Sequence, residues 1–272
     1  MKSKPLWVLA AALSSVGYAQ SNLPGGYLES DEFDVTSAIE PAPRPGEPRY
    51  EADRAIFRET RRLAGSERYQ LATNDVETRA SSMLRNFSCA VGVVLTPENV
   101  PRLTAVAQRA VIDTGTQTGR AKDAYQRERP YLIDQGPTCQ APAELIDARQ
   151  NRAGYDYPSG HSSWGWTWAL VIAASAPDRA QQVLERGKAY GESRFVCGVH
   201  NYSAVEAGML AASATMAVVQ TKPAYQADLA AARQELETLR QGSSEAPADC
   251  DAEAHLLAQP LMSGRAGEPD AF

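Results

Sequence analysis

The chain has few histidines, only His161, His200 and His255, and its four cysteines, Cys89, Cys139, Cys197 and Cys250, include no Cys-x-x-Cys pair. Structural zinc needs thiolates and imidazoles at short, regular spacing, so this scarcity argues against a metal site. Strand-like alternation of apolar and polar residues is almost absent. That excludes a sandwich or barrel and leaves an all-α fold. An excess of positive charge is also lacking, since 27 Lys and Arg against 33 Asp and Glu give a formal charge of -6. An acidic chain is poorly suited to bind nucleic acid or an anionic membrane non-specifically, so the basic residues that matter should be few and local. Beyond the N-terminus no segment reads as long and apolar enough to cross a bilayer, and no internal repeat is visible.

What is present suggests one exported domain. At 272 residues a single large core with dispensable ends is expected. Residues 1–19 carry Lys2 and Lys4, an apolar run from Leu6 to Leu13, and small residues ending at Ala19. This is the pattern of a secretory signal peptide, and the apolar run is too short for a membrane anchor. Export predicts a periplasmic or secreted location and two disulfides. Four cysteines admit three connectivities, with Cys89–Cys139 plus Cys197–Cys250 preferred.

Residues 20–49, with Pro41, Pro43, Pro45 and Pro48, read as an extended arm along the surface. Residues 50–241 read as the helical domain and 242–272 as a mobile tail. Within the domain, Ser162–Ser175 is apolar nearly all round, as in a helix buried on most sides, and 204–220 is small and apolar. Gly115–Gly119 reads as a loose stretch. The segment from Pro130 to Tyr157 is too long for a structureless loop, so it should be functional, stapled through Cys139, or partly helical around Glu144–Arg149.

Three short islands carry the chemistry. Holding and cleaving a phosphate ester requires cations and N–H donors on the equatorial oxygens and a nucleophile in line with the leaving group. Lys122, Arg129 and Arg194 are the candidate cations, two planar forks and one compact charge. Pro158-Ser159-Gly160-His161 places a cap, a flexible glycine and an imidazole at the N-terminus of the buried helix, where backbone N–H groups bind anions. Ser193-Arg194 and His200 supply the second imidazole. One histidine can attack phosphorus while the other protonates the leaving oxygen. Taken singly, each island has a blander reading, as a solvated charge or a capped turn.

Together the islands resemble the signature of the bacterial class A non-specific acid phosphatases, within the type 2 phosphatidic acid phosphatase superfamily that also contains vanadium haloperoxidases. That signature is Lys, six residues, Arg-Pro; then Pro-Ser-Gly-His; then Ser-Arg, five residues, His, three residues, Asp. Ten positions match in order and spacing, namely Lys122, Arg129, Pro130, Pro158 to His161, Ser193, Arg194 and His200. Asn86–Ala90, Phe195–Gly198 and Val205–Gly208 also resemble the soluble class, so the likeness runs from about Pro41 to Gln220.

The resemblance implies His200 as a nucleophile forming a phosphohistidine and His161 as general acid. It implies Lys122, Arg129, Ser159, Gly160, His161 and Arg194 as phosphate contacts. It further implies no metal or cofactor, phosphate esters and inorganic phosphate as partners, and a family in which homo-oligomers are common. A membrane lipid phosphatase shares the islands but needs transmembrane helices.

The final Asp of the signature is missing, and position 204 is alanine. Without an orienting carboxylate, His200 should lose its tautomer control and activity should fall, while phosphate binding should survive. Loss of such a carboxylate in a serine-protease triad costs about ten-thousandfold in turnover. The conserved-looking text around Ala204 favours a deliberate replacement over a drifted natural variant. Glu206, two residues further along a helix, points elsewhere. Two alternatives share the cage: a non-catalytic phosphate binder and a vanadate-dependent haloperoxidase.

Overall fold

The computed structural model describes residues 25–29, 31–147, 152–242 and 245–262. The expected signal segment, 1–19, lies outside them. The described residues form nine α-helices: α1 (Pro48–Thr60), α2 (Glu67–Asn74), α3 (Ala80–Val91), α4 (Pro101–Tyr125), α5 (Gly160–Ser175), α6 (Ala180–Val196), α7 (Tyr202–Val219), α8 (Pro223–Gln241) and α9 (Cys250–Leu257). One antiparallel pair, β1 (Ile146–Asp147) and β2 (Arg152–Ala153), is the sole strand structure among them. The fold is all-α, as the missing alternation predicts.

The centre is α5, packed on α4, α6 and α7. Trp168, Val171 and Ile172 are fully buried, and burial of such side chains contributes about 2–3 kcal/mol each. The small residues of the neighbouring helices set how closely they approach. A Cβ at Gly187 of α6 would lie 2.4 Å from Ala169 Cβ. One at Gly208 of α7 would lie 2.5 Å from the Ser159 carbonyl oxygen, so α7 presses directly on the turn that carries His161.

Five expectations need correction. Gly115–Gly119 is helical, inside α4. Two glycines cost about 2 kcal/mol of helix propensity there, but tertiary bonds on both sides hold the helix through them. Asp113 accepts from Tyr27 N at 2.7 Å and Leu28 N at 3.1 Å, Gln117 accepts from Val35 N at 3.1 Å, and Thr118 donates to or accepts from Ser163 at 3.0 Å. For the same reason the arm is more than a surface strap, since Tyr27, Val35 and Ile39 are buried. Within the expected mobile tail, Cys250–Leu257 form α9, and Glu253 lies 3.5 Å from Arg186 of α6.

The disulfides are Cys89–Cys250 and Cys139–Cys197, not the preferred pairing. The bond from Cys139 N to Cys197 O, 3.1 Å, sets the second pair side by side. Finally, α7 has the length and apolar composition to cross a membrane, contrary to the reading that no such segment exists. Its packing against α4, α5, α6 and α1 is that of a central core helix.

Candidate active site

The ends of α4 and α6 and the start of α5 meet at one cavity of about 580 Å³, walled by Lys122, Asp123, Arg129, Gln140, Glu144, Tyr155, His161 and Arg194, with His200 behind Arg129 rather than on the wall. Lys122 comes from the last turn of α4, which Gln126 ends in a left-handed conformation (φ 49°). Ser159 caps α5, accepting from Ser162 N at 3.3 Å, so His161 sits in the first turn. Arg194 is in the last turn of α6, and His200 lies in the connection to α7, after Gly198 at φ 77°.

The cations are poorly satisfied by the protein. Arg194 is 1% exposed, and only its Nη2 has a partner, Gln140 Oε1 at 2.5 Å. Its Nε and Nη1 are buried without a hydrogen bond among the described residues. An unpaired buried donor costs roughly 1–3 kcal/mol, more for a charged group, so such a guanidinium is built to receive an anion. Arg129 donates to the carbonyls of Gly154 (2.6 Å) and Val199 (2.9 Å), and Lys122 to that of Tyr155. Burial, then repulsion from Arg129, lowers the Lys122 ammonium to about 7, and burial lowers Arg194 to about 10. Burial is the larger cause of both shifts, and Arg129 adds repulsion to each.

The two imidazoles are neutral at rest. His161 is held well below its usual range by burial, with Arg194 and His200 adding repulsion. Its Nε2 lies 3.2 Å from the Val76 carbonyl oxygen, which can only accept, so Nε2 carries hydrogen and a second proton would go to Nδ1. His200, 2% exposed, is lowered well below its range by burial, then by Arg129, Lys122 and Arg194.

His200 does not lack a carboxylate, contrary to the expectation drawn from Ala204. Its Nδ1 lies 3.0 Å from Oδ1 of Asp156, a fully buried residue two positions before Pro158. Its Nε2 lies 3.2 Å from Arg129 Nη1. Arginine can only donate and carboxylate can only accept, so Nδ1 bears the hydrogen and Nε2 the lone pair. Asp156 is itself fixed: Asn201 donates to Oδ1 from its backbone (3.0 Å) and to Oδ2 from its amide (2.8 Å), and Arg127 Nε is 3.6 Å from Oδ2. Arg127 continues to Asp53 at 2.8 Å, and Asp53 accepts from Ser203 N, 2.8 Å, at the start of α7. Burial raises the Asp156 carboxyl, against Arg127 and Asn201, which strengthens it as an acceptor.

Of the sequence-predicted contacts, Lys122, Arg129, His161 and Arg194 meet at the cavity wall. Gly160 lies beside Lys122, whose Cε is 3.9 Å from where a glycine Cβ would stand. Ser159 is fully buried and spends its hydroxyl on the cap and on Ser162 Oγ at 2.8 Å. Ser193 faces away from the cavity, donating to Asp75 Oδ2 at 2.6 Å within the Asp75–Arg186 ion pair that braces α6. Glu206 points outward to Arg49 at 3.2 Å.

The residues that sequence reasoning missed are Asp156, Gln140, Arg127 and Asp53. An acidic residue flanked by two tyrosines beside the Pro158–His161 island was the available signal for Asp156. Nothing in the sequence marked the others.

The family described as the PAP2 superfamily matches residues 103–227, from α4 into α8. An acid phosphatase of Zymomonas mobilis subsp. mobilis is 36% identical over 206 residues, covering 74% of this chain and 75% of that one. This chain belongs to the acid phosphatases of the PAP2 superfamily. Non-specific acid phosphatases of Salmonella typhimurium and Providencia stuartii are 34% and 30% identical, over 77% and 79% of this chain and 83% and 86% of theirs. Membership makes the chain a phosphatase acting on phosphate esters.

Proposed function

We propose an exported phosphomonoesterase that needs no metal and works through a phosphohistidine on His200. The observation that supports this reading is the buried Arg194, with two nitrogens, Nε and Nη1, unpaired among the described residues, near a neutral imidazole whose lone pair is on Nε2. An arriving ester takes the N–H groups of Arg194, Arg129 and Lys122 on its non-bridging oxygens. Arg129 then turns its donor from His200 to the phosphate, which frees the Nε2 lone pair.

Nε2 attacks phosphorus, the N–P bond forms and the P–O bond to the leaving group breaks. His161, protonated once the anion has offset the surrounding positive charge, gives its proton to the leaving oxygen. A water then attacks phosphorus and returns a proton to His161. The N–P bond breaks and inorganic phosphate leaves. The three cations supply the charge compensation that phosphoryl transfer requires. Export is supported by the signal-like residues 1–19 and by the two disulfides, which persist in oxidising compartments. The loss of activity expected from Ala204 has no premise left once Nδ1 has a carboxylate partner.

p-Nitrophenyl phosphate is the test substrate. Turnover should persist in excess chelator and fall about a millionfold in His200→Ala, the scale of removing a nucleophile from a catalytic triad. Turnover that survives His200→Ala, or that vanishes with the chelator, would contradict the reading.

A further inference from the structure

The acid phosphatase signature ends on a carboxylate one helical turn after its second histidine, where this chain has Ala204 in the first turn of α7. We propose that Asp156 is the positioning residue for His200, a carboxylate relocated from α7 to the segment leading into the Pro158–His161 turn, and that Ala204 is the matching half of this exchange. The inference rests on His200 being the nucleophile.

Three observations support it. Asp156 Oδ1 meets Nδ1 at 3.0 Å. The carboxylate cannot swing away, because Asn201 holds both oxygens and the Asp156 backbone N donates to the Arg127 carbonyl at 2.8 Å. Position 204, in turn, has no place for a carboxylate: Ala204 is 0% exposed and sits in an apolar cluster with Tyr157, Ala207 and Val35. Its carbonyl accepts from Ser159 N at 2.8 Å, which binds α7 to the same turn that Asp156 leads into. An Asp at 204 would therefore bury a second negative charge close to the first, and like charges in one buried site cannot both ionise without cost.

The exchange reverses the expectation drawn from the sequence. Ala204→Asp should give no gain in turnover and should lower the melting temperature. Asp156→Asn keeps the shape and, with its amide oxygen at the Oδ1 position, the bond from Asn201 N, but it puts an NH2 where Oδ2 accepted from the Asn201 amide and offers Nδ1 a weaker, uncharged acceptor. Its kcat should fall about a thousandfold or more, on the scale of the Asp→Asn change in a serine-protease triad, with KM for p-nitrophenyl phosphate and affinity for inorganic phosphate changed less than about threefold. An Asp156→Asn enzyme within about threefold of the parent kcat, or a tenfold or greater gain in Ala204→Asp, overturns the proposal.

A measurement independent of turnover accompanies these. Nitrogen-15 NMR of the histidine-labelled parent protein should show His200 with hydrogen on Nδ1 and a bare Nε2, and that Nδ1–H signal should move markedly in Asp156→Asn. A ring with hydrogen on Nε2 overturns the proposal even if every variant folds poorly. The two layers separate cleanly. An inactive parent with the expected NMR pattern sinks the phosphatase mechanism and leaves Asp156 as the group orienting His200. An active parent indifferent to Asp156→Asn does the reverse.

Discussion

Behind Arg129 of the cavity wall, His200 stands in a closed set of bonds: Nδ1 on Asp156, Asp156 on Asn201 and Arg127, Arg127 on Asp53, and Asp53 on the start of α7. On the wall itself Arg194, equally buried, holds one bond to Gln140 and leaves Nε and Nη1 without a partner among the described residues. Both halves bury charge at a cost of several kcal/mol per ion, yet only the first recovers it within the protein. In the proposed mechanism the closed half fixes the orientation and tautomer of the nucleophile before substrate arrives. The open half keeps its attraction for the anion. Preorganisation and affinity are thus assigned to different residues, and substitutions should separate them.

The sharpest way to break that comparison is a pair of variants. His200→Ala should abolish turnover yet bind inorganic phosphate as tightly as the parent, since no cation is lost. Arg194→Ala should weaken phosphate binding about a hundredfold or more, from two charge-assisted hydrogen bonds of about 1.5–3 kcal/mol each, while the His200 ring keeps its hydrogen on Nδ1. Calorimetry and NMR on the same two samples check both statements. If both variants lose binding alike, the division of labour is wrong.

A smaller effect sharpens the picture of the open half. Lys122, at about 7, and His161, well below its usual range, are both depressed by burial and by neighbouring cations. A bound anion favours their charged forms, so both pKa values rise in the complex and binding takes up protons. Affinity must then increase as pH falls. Sulfate, whose own charge is constant across this range, should bind more tightly by up to about tenfold per proton taken up for each pH unit between 8 and 6. Calorimetry in two buffers of different ionisation enthalpy gives the proton count directly. Affinity that is flat or rises with pH contradicts the assignment.

Much of this was legible in the sequence, for reasons that differ residue by residue. Lys122, Arg129, His161 and Arg194, singled out by their spacing, stand on one cavity wall, and the missing strand alternation gave the helical fold. Asp156 could not be read in the same way. It lies 44 residues from His200 in the chain, and only the pressing of α7 on the Ser159 turn, through Gly208, brings the two together. Position 204 was judged by what it lacked, without the packing that supplies the carboxylate from elsewhere.

The disulfides failed for a related reason. Cys139 meets Cys197 through a long-range backbone bond that no local pattern encodes. Gly115 and Gly119 were misread because local propensity favours a break, while Asp113, Gln117 and Thr118 bind partners that lie far away in sequence.

The central claim is that His200 Nε2 forms a covalent bond to phosphorus. Mixing the enzyme with phosphate ester, quenching in alkali, where phosphohistidine is stable, and sequencing the peptides by mass spectrometry tests it most directly. The account predicts phosphate on the His200 peptide during turnover, absent in His200→Ala. Phosphate on another residue, or rapid turnover with no labelled peptide under conditions that slow the hydrolytic step, would contradict it.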